Sequence, residues 1–399
     1  MTFVFAAYFT QGIVGDDVRG TALWGQAISL SALAIAILAP LVGAVADAGG
    51  RRKPWLAAFS VLTVGAGAAL WFAAPEAGNA WWVLIVVGVA NLGFEMATVF
   101  YNAMLPGLAA PGRVGRLSGW GWGLGYAGGL ACLALALVLL VQADPPPFGL
   151  DKAQAEHVRA VGPLVAAWFV LFAWPLFAFV PDGAATGLPI GQAVRRGVAQ
   201  LWGSIRRVRH YRDVAWFLVA KMLYIDGLNT IFGLGGVYAA TAFAMPIDEI
   251  LLFGIALNVT AAAGAFAFAW IDDWIGPKRT LVLGNLGMIA TGAAILLATD
   301  PLGFWIGGLV LGLFIGPVQA SSRSMMALLA PRGLETEMFG LYAFSGKATA
   351  FLGPALVGWA TLAFASPRLG MAMVLPFFVA GILLLLKVRE PARQAPHSS

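Results

Sequence analysis

Eleven apolar runs, each about a bilayer's width in helical residues and joined by short polar loops, constrain this chain more than anything else in it. They fall near 22–46, 54–74, 81–104, 118–141, 160–180, 213–241, 248–270, 278–298, 303–327, 337–365 and 368–388, after a shorter run at 2–14. About 20 mostly apolar residues in a helix cross the hydrocarbon core, so an all-α integral membrane protein is expected. Composition agrees, with 60% hydrophobic and 11% charged residues and a mean hydropathy of +0.84, where a soluble domain carries roughly 25% charged residues. Cys132 is the only cysteine, so no intramolecular disulfide is expected. A cleavable leader is not expected either, because residues 1–14 lack a basic start and a cleavage site.

The loops alternate in charge. Arg51, Arg52, Lys53, Arg113, Arg116, Arg195, Arg196, Arg206, Arg207, Arg209, Arg212, Lys278, Arg279, Arg332, Lys387, Arg389 and Arg393 fall in one set, and only Arg19, Lys152, Arg159 and Arg368 in the other. Positive loops stay inside, so both termini are expected in the cytoplasm, and the plasma (inner) membrane is the expected location. The net charge of +5 therefore records orientation. It does not predict a nucleic-acid partner, which would want the basic groups on one continuous face. The longest cytoplasmic segment, 181–212, separates two halves, 1–180 and 213–390, and 391–399 forms a tail. Val194, Val198, Leu201, Trp202, Ile205 and Val208 share a helical face there. That pattern predicts an interfacial helix against anionic lipid, with a solvated linker as the alternative.

The halves read as copies. Asp47 recurs as Asp273 at an offset of 226, and Leu105-Pro106 recurs as Ala330-Pro331 at 225. Gly121 and Gly128 recur as Gly346 and Gly353, again at 225. Duplicated six-span halves around a midplane site are a transporter architecture. The loop Gly43-Ala-Val-Ala-Asp47-Ala-Gly-Gly50-Arg51-Arg52 resembles the major facilitator signature Gly-x-x-x-Asp-(Arg/Lys)-x-Gly-Arg-(Arg/Lys), with Ala48 in place of the usual basic residue. Asp273, Gly276, Lys278 and Arg279 are its counterpart. A cytoplasmic gate built from Gly43, Asp47, Gly50, Arg51, Arg52, Asp273, Lys278 and Arg279 is one reading; static turns with topology-setting charges are the other. Tyr101-Asn102-Ala103-Met104-Leu105-Pro106, Tyr224-Ile225-Asp226-Gly227, Gln319-Ala320-Ser321-Ser322-Arg323-Ser324, Phe339-Gly340-Leu341-Tyr342 and Ser345-Gly346-Lys347 are similar to one branch of that superfamily. It is the "unknown major facilitator" group, related to fungal vacuolar amino-acid effluxers of autophagy. The resemblance implies the major facilitator fold, with twelve transmembrane helices in two six-helix halves.

Charges within apolar runs are costly and mark functional candidates. Asp226 and Lys347 lie roughly 15–20 Å from the cytoplasmic edge at helical rise, near mid-bilayer, and Glu95 is similarly deep. Lys221 is shallower, and Arg323 lies where it can snorkel, with a gating or structural role as the alternative to substrate contact. Asp226, Lys347, Glu95, Arg323, Gln319, Asn229 and Asn91 form the expected substrate- and proton-binding set. A static internal ion pair is the alternative for Asp226 and Lys347. Asn102, Tyr101 and Tyr126 add hydrogen-bonding capacity, whereas Trp120, Trp122 and Phe232 read as packing. The three histidines, His157, His210 and His397, fall outside the expected spans. Buried cations suit a substrate carboxylate and buried carboxylates an ammonium, so an amino-acid-like small molecule is expected, with a proton as coupling ion.

No nucleophile–base pair, metal-ligand cluster or phosphate loop is present, so neither an enzyme nor a cofactor or metal is expected. The reading is a secondary active transporter, in which the resemblance implies amino-acid efflux. The alternative is a non-transporting sensor or a lipid scramblase on the same fold. A monomer is the expected state. The first helix is expected to be truncated, because 2–14 spans roughly 20 Å and the counterpart of Tyr224-Ile225-Asp226-Gly227 would precede Met1.

Overall fold

The computed structural model describes residues 2–206 and 211–390, and all of their regular elements are helices. Helix α1 (Thr2–Tyr8) continues as a π turn to Val14, and α2 covers Asp17–Gly49. The first half then holds α3 (Lys53–Ala69), α4 (Ala80–Leu108), α5 (Val114–Leu135), the short α6 (Glu156–Arg159) and α7 (Val161–Phe179). Helix α8 (Ile190–Arg206) follows, then α9 (Arg212–Phe243), α10 (Ile247–Ile275), α11 (Pro277–Leu297) and α12 (Pro301–Leu329). The last are α13 (Glu335–Ala348), α14 (Leu352–Phe364), α15 (Pro367–Ala372) and α16 (Leu375–Leu386). Among the described residues eleven helical stretches are long and apolar enough to cross a membrane, and each lies over one of the expected runs. One run differs: 337–365 is interrupted after Ala348, where a turn through Thr349–Phe351 separates α13 from α14.

Chain punctuation follows local chemistry. The Asp16 and Asp300 side chains accept from the N–H groups of Arg19 (2.8 Å) and Gly303 (2.9 Å), supplying acceptors that helix starts lack. Pro301 and Pro277 occupy first helical positions, where no N–H is needed. Gly50 closes α2 at φ 79°, a left-handed conformation that glycine adopts without strain.

The Cα network divides into two compact units, Met1–Tyr101 with Gly129–Val198, and Asn102–Gly128 with Ala199–Ser399. In the first, Phe5, Phe9, Leu70, Val83 and Val87 form a buried apolar cluster. In the second, α12 packs on α10 through Gly308, Gly312 and Gly316. A Cβ at Gly316 would run into the Ala261 carbonyl, and one at Gly312 into the Thr260 hydroxyl. Lipid tails are as apolar as leucine, so close backbone approach and van der Waals contact must hold such a seam.

On α8, Val194, Val198 and Trp202 are exposed as one stripe, with Leu201 buried at its edge. Nothing is described of the side chain of Ile205, and Val208, Arg207, Arg209, His210, Arg393, His397 and the tail 391–399 lie outside the described residues.

Candidate functional site

The second unit holds a chain of buried polar side chains along α12. Its segment Ala320-Ser321-Ser322-Arg323-Ser324 is buried throughout, the small residues leaving room for the guanidinium of Arg323, 2% exposed. Arg323 Nε donates to Ser118 Oγ (2.9 Å), Nη2 to the Ser118 carbonyl (2.6 Å) and Nη1 to Asn102 Oδ1 (3.3 Å). Its charge lies 5.4 Å from the Trp122 ring centre, within cation–π range. Ser118 in turn donates to the Ala320 carbonyl (2.7 Å). One turn before Arg323, Gln319 Oε1 accepts from both Trp122 Nε1 (2.7 Å) and the Tyr126 hydroxyl (2.6 Å). Helices α4, α5 and α12 are thereby tied around a cation and an oriented carboxamide.

A second polar group lies on α9. Lys221 is 4% exposed; its Nζ donates to the Tyr342 carbonyl (2.8 Å) and Ser345 Oγ (3.3 Å) and sits 3.8 Å from the Tyr342 ring centre. Tyr224 and Ser322 share a 2.7 Å hydrogen bond. Ser322 commits its single proton to the Val318 carbonyl (2.6 Å), so Tyr224 is the donor. Asp226, five residues beyond Lys221 and 1% exposed, accepts through Oδ2 from the N–H of Gly353 (3.3 Å) at the start of α14. Its Oδ1 has no hydrogen-bond partner. Lys347 is half-buried in the last turn of α13. Asp226 therefore caps the second part of the interrupted span, as discontinuous membrane helices bring backbone groups to a site.

The expected gate residues occupy two turns. In the first unit, Asp47 pairs with Arg52 (3.4 Å), and Arg51 pairs with Asp182 (3.4 Å). Asp182 Oδ1 also accepts from the N–H groups of Arg52 (2.9 Å), Lys53 (3.2 Å) and Gly183 (2.9 Å). Burial opposes ionisation of Asp182, but these donors and Arg51 outweigh it and hold the carboxyl below its ordinary value. Gly43 is buried, and Gly50 forms the left-handed cap. In the second unit, Asp273 Oδ2 receives Arg116 Nε at 2.6 Å, and its Oδ1 accepts the Arg116 N–H at 3.2 Å, near the start of α5. Lys278 donates to the carbonyls of Val388 (2.7 Å) and Leu386 (3.2 Å), while Arg279 is exposed. Beside Asp273, Asp272 is 3% exposed, with the hydroxyls of Ser321 and Ser324 as its polar neighbours. It lines a crevice with Gly115, Gly119, Ala269 and Ser321.

The sequence profile described as "Vacuole effluxer Atg22 like" matches residues 12–114 and 111–395. The chain belongs to this family. It is 28% identical over 397 residues to the uncharacterized MFS-type transporter YxiO of Bacillus subtilis (strain 168), covering 98% of this chain and 90% of the relative. Autophagy-related protein 22-1 of Aspergillus niger (strain ATCC MYA-4892 / CBS 513.88 / FGSC A1513) is 26% identical over 304 residues, 70% of this chain. The match spans about half, 48%, of that longer relative. Among solved structures, the proton:xylose symporter XylE bound to 6-bromo-6-deoxy-D-glucose superposes with a TM-score of 0.71 at 14% identity, covering 98% of this chain and 92% of that one. The fold is the major facilitator fold. The protein is an integral, multi-pass membrane transporter of that superfamily, not an enzyme, and its substrates are small molecules.

Against that family, the structure sorts the expected site residues. Arg323 and Gln319 come together, as do Asp226 and the start of α14. Arg323 is not a snorkelling end group but a buried hub, and Lys221 is buried as well. Trp122 packs, yet its indole N–H also orients Gln319, a role not assigned from the sequence. In the first unit, Asn91 donates to Ser31 Oγ (2.7 Å), and Glu95 is half-buried. Asn229 is exposed on α9. His157 sits in α6, directly before α7.

Proposed function

We propose that this transporter moves amino-acid-like solutes out of the cytoplasm by alternating access, with a proton as the coupled ion. The observation that carries the reading is the buried cation Arg323, one helical turn from the carboxamide of Gln319, on a helix packed into the protein interior. A buried guanidinium with satisfied hydrogen bonds is expensive to maintain and suits a site that must attract an anionic group. Asp226 is the proposed proton carrier, since one of its oxygens is unpartnered in a buried position. Efflux is the direction that the family's description supplies. The gate reading assigns Asp47 and Asp273 to cytoplasmic turns that open and close with transport.

A panel of radiolabelled amino acids in proteoliposomes, with and without an imposed pH gradient, tests this. Accumulation of at least one amino acid, dependent on the gradient, is expected. Equilibration of a labelled lipid without solute flux would instead identify a scramblase and refute transport of solutes. Orientation is tested separately. With Cys132 replaced, cysteines introduced at 200 and 395 should resist impermeant labelling of intact cells; ready labelling of both overturns the inside location of the termini.

A further inference from the structure

We infer that Gln319 is the carboxylate-recognition residue of the transport site, its amide nitrogen donating to the solute's carboxylate. This rests on the transport reading above and adds to it which group of the solute is bound, and by what.

The assignment follows from hydrogen-bond accounting. Indole Nε1–H only donates, so the Gln319 atom 2.7 Å from Trp122 Nε1 must be the oxygen. The Tyr126 hydroxyl, 2.6 Å away, donates to the same oxygen. Both lone pairs of Oε1 are thus used, and the carboxamide cannot be flipped without setting N–H against N–H. Its planar geometry then points Nε2, with two donor hydrogens, away from Trp122 and Tyr126. Among the described residues Nε2 has no acceptor. Gln319 is half-buried while its neighbours Val318 and Ala320 are buried, so this arm is reachable where the rest of the turn is not.

What the arm faces decides the ligand. Four residues on, Arg323 adds a positive charge on the same face of α12. It is 2% exposed and engaged by Ser118 and Asn102, so it is too enclosed to serve as the contact itself and acts through its field. In a low-dielectric interior that field is strong. A fixed donor pair beside a buried cation is complementary to an acceptor-only anion and opposed to an ammonium. The Trp122 and Tyr126 rings are a wall for the solute's apolar part. A carboxylate meets these conditions, and an uncharged sugar would leave the field of Arg323 unused.

The test is equilibrium binding to the purified full chain in nanodiscs. The probes are the twenty L-amino acids, each paired with its C-terminal amide. Acids should bind about 10- to 100-fold more tightly than their amides, the range for one charge-assisted hydrogen bond. Gln319→Glu keeps an oxygen for Trp122 and Tyr126 but replaces the donor arm with an acceptor, so it should abolish that preference. Trp122→Phe leaves Gln319 in place but frees its carboxamide to rotate, and should reduce the preference without eliminating binding. Wild-type acid preference in Gln319→Glu overturns the inference. So does a wild type that binds uncharged solutes and no carboxylate, although transport would then stand. Failure to bind or move any solute would remove the transport reading as well.

Discussion

Arg323→Lys is the substitution whose consequence can be worked most fully. The guanidinium reaches two atoms of Ser118 and one of Asn102, at 2.6–3.3 Å. A lysine ammonium is a point donor on a single stem and can satisfy one of these, so at least two hydrogen bonds are lost. In a water-soluble protein a bond to a charged group contributes roughly 1.5–3 kcal/mol, which would make the loss about 3–6 kcal/mol. Membrane interiors return less, because the unfolded helices also find partners in lipid; double-mutant cycles there average about 0.6 and reach about 1.7 kcal/mol per bond. The smaller scale applies, giving about 1–3 kcal/mol. Arg323→Lys should therefore remain folded but unfold at lower detergent fraction, measured by sodium dodecyl sulfate titration in bicelles. Solute flux in proteoliposomes should fall as well, because the shifted charge no longer lies beside Trp122. Stability within about 0.5 kcal/mol of the wild type, together with unchanged flux, would refute the role of Arg323 as the hub joining α4, α5 and α12.

Asp226→Asn should abolish pH-gradient-driven accumulation in proteoliposomes while leaving purified protein folded by size-exclusion chromatography; wild-type accumulation removes Asp226 from proton coupling. Asp182 is held below its ordinary carboxyl value, so its contribution to stability is complete above the unfolded value near 4. That contribution is lost as pH falls through the lower folded value. Thermal melting should accordingly show an acid-side loss that Asp182→Asn lacks; identical pH profiles would refute this. Gly316→Ala places a methyl group against the Ala261 carbonyl and 2.8 Å from the Ala265 Cβ, and should destabilise by about 1–3 kcal/mol, read as a lower melting temperature. An unchanged melting temperature would mean that the α10–α12 seam yields more easily than its geometry implies.

Much of the fold was legible because one physical length, the hydrocarbon thickness, governs every span. Asp226 stood out for a related reason: a carboxylate inside an apolar run is rare enough to mark itself. What stayed hidden depended on helix phase and on distant partners. Asp272 and Asp273 are adjacent carboxylates about 100° apart around one helix, and only the packing of α5 and α12 shows which is buried. Lys221 meets the Tyr342 carbonyl across 121 positions, a partner that no local pattern announces. The Trp122 indole N–H meets Gln319 across 197 positions, a pairing that apolar periodicity cannot reveal. The break after Ala348 has a local signal, Gly353-Pro354 in the first turn of α14, but the unbroken apolar length of 337–365 hid it.

That break makes part of the site chemically silent to ordinary mutagenesis. The Asp226 carboxylate is held by the N–H of Gly353, and the turn is closed by the N–H of Leu352 on the Thr349 carbonyl (2.8 Å). Both donors belong to the main chain, so exchanging side chains at 349 or 352 leaves those donors in place. An alanine exchange at 351 or 352 would leave both donors in place even where the contact matters, whereas a Cβ at Gly353 would meet Thr230 and Asp226. Replacing the amide before residue 353 with an ester removes that donor while leaving every side chain in place.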